Sequence, residues 1–135
     1  MIGQMQYWDY LSEARKEAML RNKDIISIAS NKLYEQVTIR MWSKGVTKRG
    51  TISGEDIKGK RYIVKSGQFI ISKIDARHGA YGIIHLELDK AVITADFLSY
   101  NLNHNKIDPI YLDLFTKTSN FFDQCKNASS GTTNR

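Results

Sequence analysis

Residues 62–97, YIVKSGQFIISKIDARHGAYGIIHLELDKAVITADF, constrain the fold more than any other part of the chain. Apolar residues recur there in short clusters, Tyr62-Ile63-Val64, Phe69-Ile70-Ile71, Gly82-Ile83-Ile84 and Ala91-Val92-Ile93, each bounded by Gly, Asp or Lys. That pattern predicts consecutive buried strands joined by tight turns, the core of a sheet. Between two of these strands, Ser72 to Ala80 interposes Lys73, Asp75, Arg77 and His78 before Gly79 lets the backbone turn. Two readings of this loop stand side by side. It is either a solvated hairpin loop with a local Asp75–Arg77 pair, or a polar loop that a rigid sheet carries for binding.

The chain has 135 residues and 41% hydrophobic content, which suits one domain with a single core. Its one cysteine, Cys125, cannot form an internal disulfide, so a reducing cytoplasm is the expected location. No run of about 18 apolar residues occurs, and the first residues are too polar and acidic for a secretory signal. The formal charge of +6 is unevenly spread. Residues 40–77 carry ten Lys or Arg against Glu55, Asp56 and Asp75, a net +7, so the rest of the chain is at −1. Clustering of this kind is the electrostatic footprint of a nucleic-acid surface, although a soluble protein can also gather lysines without such a role. A membrane-surface role fits less well, because glycines break the basic segment and it contains no basic amphipathic helix.

Taken in order, residues 8–22 are rich in helix formers with an imperfect 3.6-residue apolar stripe, which predicts a helix within an N-terminal segment 1–33. Leu33 to Met41 alternates, with Val37, Ile39 and Met41 on one side and Gln36, Thr38 and Arg40 on the other, as in a half-buried strand. Residues 43–61 hold four glycines and few large apolar residues, so an exposed, mobile loop is expected. Its cations, Lys44, Lys48, Arg49, Lys58, Lys60 and Arg61, suit the tracking of a phosphate backbone. Leu98 to Leu102 alternates again, and Asn103 to Asn105 reads as a turn. Asp108-Pro109 then opens a helix over about residues 109–126, because Asp caps free amides and Pro at the first position loses no hydrogen bond. Cys125 falls on that helix's apolar face and reads as an inert core thiol. The tail from Ala128 to Arg135 reads, by itself, as a flexible terminus.

Catalytic patterns are lacking. His78, His85 and His104 form no HExxH or HxH spacing, no glycine run matches a phosphate loop or dinucleotide turn, and Ser72 and Ser130 lack a GxSxG context. The carboxylates nearest to a nuclease arrangement, Asp75 with Glu87 and Asp89 or Glu55-Asp56 near Lys58, are ordinary turn compositions. The expectation is a non-enzyme with no cofactor or metal of its own.

Four further pieces, in order, carry a resemblance. Gly67-Gln68-Phe69-Ile70-Ile71-Ser72 is similar to a gly-acid-apolar-apolar-x-Ser strand, with Gln68 at the acidic place. Ala80 to Ile84, followed by Val92-Ile93-Thr94-Ala95-Asp96-Phe97, is similar to a glycine-containing strand and a short apolar strand ending in Thr and Phe. Ile107 to Leu112 is similar to a Pro-x-Tyr-Leu helix opening, and Ser129 to Arg135 to a closing Ser-x-Gly-Thr signature. In these pieces residues 34–135 resemble the target recognition domain of the specificity subunit of type I restriction-modification systems. The resemblance implies an α+β fold, with a twisted, mostly antiparallel sheet and flanking helices.

It also implies sequence-specific binding of double-stranded DNA that directs partner methyltransferase and endonuclease subunits. S-adenosylmethionine, ATP and magnesium then belong to those partners. The implied DNA contacts are Lys44, Lys48, Arg49, Lys58, Lys60, Arg61, Lys73, Arg77, His78, Thr132, Asn134 and Arg135. Lysines would hold phosphates, and Arg49, Arg77, Asn134 or Arg135 would pair with base edges. Two departures stand against the family pattern: there is one recognition domain, and the chain stops where the family continues into a spacer helix. A half-subunit, a fragment or an isolated domain is therefore expected, with the helix at 8–22 as the remaining docking or homodimer-pairing element. The alternative function is a protein-interaction module that competes for the methyltransferase without productive DNA contact. A metal-dependent nuclease is a third option.

Overall fold

The computed structural model describes residues 19–103 together with Asp123, Lys126 and Asn127. Those last three are helical and exposed, within the range expected for the C-terminal helix. The rest of that helix, Cys125, the turn at His104 and Asn105, and the tail lie outside the described residues. So does the expected N-terminal helix as far as residue 18.

The described residues build a sheet-dominated fold of nine strands: β1 Met19–Asn22, β2 Ile25–Ile26, β3 Leu33–Arg40, β4 Gly45–Ser53, β5 Arg61–Ile63, β6 Phe69–Ser72, β7 Tyr81–Ile83, β8 Val92–Ile93 and β9 Phe97–Leu102. Three short 3₁₀ turns, at 54–56, 76–78 and 86–88, connect them. The four apolar clusters of residues 62–97 fall on β5, β6, β7 and β8, where their spacing predicts strands. Instead of one sheet there are two. A four-stranded sheet runs β1-β9-β6-β7 and a five-stranded sheet runs β2-β5-β8-β3-β4. All pairings are antiparallel except β3 with β8, which are parallel at Gln36 and Val92.

Strand β6 lies between β9 and β7, and all four of its residues are buried. A strand enclosed on both edges and both faces reads as an unbroken apolar run, as Phe69-Ile70-Ile71 does. The core joins the two sheets: Val37, Ile39, Val46 and Ile93 from the five-stranded sheet meet Ile70 from the four-stranded one, with Val64, Ala80, Ile84, Leu88 and Ala91 from the connections. Strand β7 packs on the β3–β4 hairpin closely enough that a Cβ on Gly82 would stand 2.9 Å from Val46 Cγ2.

Three expectations are corrected. Met19 to Asn22, read as the last turn of a helix, is strand β1, paired residue for residue with Leu102 to Ser99. Asn22 holds it there, because its amide nitrogen donates to Ile63 O and Ser99 Oγ, both at 2.9 Å. Residues 43–61, read as a mobile loop, contain strand β4, which pairs with β3 from Leu33–Ser53 to Arg40–Gly45. Its glycines and cations hide it, but cations suit an edge strand because they discourage further pairing. Met41, read as inward-facing with Val37 and Ile39, is exposed in the hairpin turn.

Candidate functional site

The register of β3 and β4 shifts at Gln36/Val37, where Gln36 faces Gly50 and Val37 faces Lys48. Arg49 is therefore the extra residue of a β-bulge, a device that bends a strand and re-aims a side chain. It lines a pocket of about 240 Å³ with Gln36, Ile93, Thr94, Phe97 and Arg61. Because the strand order is β5-β8-β3-β4, Arg61 on β5 and Arg49 on β4 flank this pocket from either side of the β8–β3 pair. Arg61 is steadied by its own loop, as its Nη1 donates to Lys58 O at 2.8 Å and Lys60 O at 3.2 Å. Two guanidinium groups, an amide and a hydroxyl with no carboxylate among the lining residues make a donor-rich setting that suits phosphate or a base edge.

The second cluster forms where the β3–β4 hairpin turn meets the turn after β6. Trp42 N donates to His78 O at 2.7 Å and Ser43 N donates to Gly79 O at 3.0 Å. The two rings also meet, with Trp42 and His78 centroids 5.8 Å apart and planes at 61°. A Cβ on Gly79, whose φ is 79°, would stand 2.9 Å from the Trp42 and Ser43 backbone, so this contact requires glycine. The hairpin turn that carries exposed Lys44 is thereby docked on the turn that carries Arg77 and His78. Lys73 leads into that turn, and its backbone N–H donates to Asp96 O at 2.9 Å.

The loop's internal contact to the Asp75 carboxylate differs from the sequence expectation. Asp75 meets His78 Nδ1 at 3.6 Å, not Arg77, because the 3₁₀ turn at 76–78 brings the third residue back over Asp75. Arg77 Nε is buried without an acceptor among the described residues.

Elsewhere, Lys48 is held by Glu35 across the hairpin at 2.9 Å, whereas Lys58 and Lys60 project from the exposed loop before β5. The structure thus gathers Arg49 with Arg61, and the Lys44 turn with Arg77 and His78. It takes up Lys48 in an ion pair. Thr132, Asn134 and Arg135 lie outside the described residues. Sequence reasoning missed Gln36, Thr94 and Phe97 at the pocket and Trp42 at the hairpin turn. Nothing local marks the first three, but Trp42 directly before a serine, two cations and glycines was a visible anomaly in a turn.

Gln68, at the place where the resemblance has an acid, serves the fold: its Oε1 accepts from Lys65 N at 3.0 Å and its Nε2 donates to Asn101 Oδ1 at 2.8 Å. Among the described residues no three His, Cys, Asp or Glu side chains stand together as a metal-ligand group, and no helix is long and apolar enough to cross a membrane. Comparison with protein-family models, curated proteins and solved structures finds no significant match to this chain.

Proposed function

We propose that this chain binds double-stranded DNA in a sequence-specific manner, as a target recognition domain of a type I restriction-modification specificity subunit. In this reading it positions partner methyltransferase and endonuclease subunits and makes no bonds itself. The observation that carries the reading is the pocket flanked by Arg49 and Arg61, both from the segment of +7 charge, whose lining holds no carboxylate. Such a site draws a polyanion and pairs bidentately with phosphate or with a guanine edge. Exposed Lys44, Lys58 and Lys60 supply sequence-independent phosphate contacts, and Arg49 and Arg77 are the described residues suited to reading bases.

The test is selection of bound sites from a random duplex pool with the purified chain. A recovered consensus of about three to five base pairs, with affinity that falls steeply as salt rises, supports the reading. Neutralising Lys58 and Lys60 then weakens binding on all sequences alike, whereas Arg49→Ala relaxes preference at one position by about 1–3 kcal/mol. Flat DNA titrations with retained binding to a methyltransferase subunit would sink it in favour of the interaction module.

A further inference from the structure

We propose that the β3–β4 hairpin turn is a wedge, in which the Trp42 indole, with Met41 beside it, inserts between stacked base pairs of duplex DNA. This rests on the DNA-binding reading and adds to it the manner of contact. Three independent observations carry it.

The first is exposure. A hairpin turn ordinarily carries small polar residues, yet here Trp42 is 57% and Met41 44% exposed. Burying an aromatic ring is among the largest apolar gains available to a side chain, and more than half of this one's surface forgoes it.

The second is strain held in place. Trp42 has φ 63° and Ser43 φ 58°, two consecutive non-glycine residues in the left-handed region. Asn-Gly would adopt such a turn without penalty, whereas each of these residues pays for it. Their conformation is over-determined by the hydrogen bonds to His78 O and Gly79 O and by the edge contact of the His78 ring. A bulky side chain kept in a sparsely populated conformation by its surroundings is a mark of a functional position. The docking also makes the tip stiff, so little ordering cost remains when it engages a partner.

The third is charge. Arg40 and Lys44 flank the tip along the hairpin, and Arg77 comes from the loop on which it docks. Asp75, the acid within that loop, lies 3.6 Å from the His78 ring on the side of the loop that follows Lys73. An apolar wedge rimmed by cations matches a duplex, whose phosphates bound the stacked bases into which apolar side chains insert. An apolar groove on a protein partner would not call for that rim.

The test uses the full chain and a duplex bearing the consensus from the selection above, with 2-aminopurine placed in turn at each step. The parent protein should raise 2-aminopurine fluorescence at one step, and end-to-end energy transfer should report a bend there. Trp42→Gly removes the indole and relieves the left-handed backbone, so the variant should unfold at no lower temperature than the parent. It should lose the unstacking signal and the bend, and bind roughly tenfold more weakly. Its salt dependence should match the parent's, because no phosphate contact is removed. Trp42→Phe should restore part of the signal. A parent protein that binds the duplex with no unstacked step overturns the wedge and leaves DNA binding intact, whereas one that binds no duplex overturns both. If Trp42→Gly keeps the full unstacking signal, the wedge is likewise overturned and the tip is free for a protein partner.

Discussion

Among single residues, the buried amides are as consequential as the apolar core. The Asn22 amide nitrogen has two hydrogens, and Ile63 O and Ser99 Oγ at 2.9 Å take both, leaving the 3.5 Å approach to Gln68 Oε1 as a secondary contact. Its Oδ1 also accepts from Asp24 N at 3.2 Å. Asn22→Ala should lower stability by about 2–3 kcal/mol, because it strands buried acceptors as well as losing bonds. Denaturant unfolding checks this: the midpoint should fall with an unchanged slope. Gly54 offers a steric counterpart. A Cβ there would overlap Ala29 O, while the Gly54 amide already donates to Lys32 O at 2.8 Å. The loop before β3 has to move if that space is filled, so Gly54→Ala should cost about 2–3 kcal/mol by thermal or denaturant unfolding. An unchanged midpoint would show that the loop yields freely. Neither residue announces its role in the sequence, since a buried Asn and an exposed one are spelled alike.

Strand β4 shows how an element can be invisible in its own composition. Four of its nine residues are Gly, Lys or Arg, yet eight register pairs with β3 make it a strand. The hydrogen bonds that define it come from Leu33 to Arg40, and no window confined to residues 45–53 contains them. The same pairing sets Lys48 against Glu35 at 2.9 Å, with both side chains well exposed. An exposed pair of this kind contributes under about 1 kcal/mol. Glu35→Gln should therefore leave the unfolding midpoint nearly unchanged. It should also free Lys48 for phosphate and steepen the salt dependence of DNA affinity by about one ion. Equal salt slopes for the variant and parent would show that Lys48 does not reach the backbone. Strand β1 was misread for a related reason: Met19 to Asn22 continues a run of helix formers, and its partner, Ser99 to Leu102, lies some 80 positions away.

At the scale of the whole molecule, the two sheets are not separable units. Ile70 from one and Val37, Ile39, Val46 and Ile93 from the other share one cluster, so the described residues should unfold in a single cooperative transition. Ile70→Ala, at a site with no solvent exposure, should cost about 2–5 kcal/mol and, in a Trp8→Phe background that leaves Trp42 as the one tryptophan, lower the circular-dichroism and fluorescence transitions together. Separation of the two curves would mean that the sheets melt independently.

The sequence by itself determined the strands of residues 62–97, because enclosed strands are written as local apolar clusters between turn residues, and it determined where the positive charge lies. Only the tertiary structure decided that there are two sheets, and that Arg49 and Arg61 flank one pocket. It alone docked Trp42 against His78. Those arrangements rest on backbone pairing and close approach between residues far apart along the chain, and such contacts leave no trace in the composition of either partner.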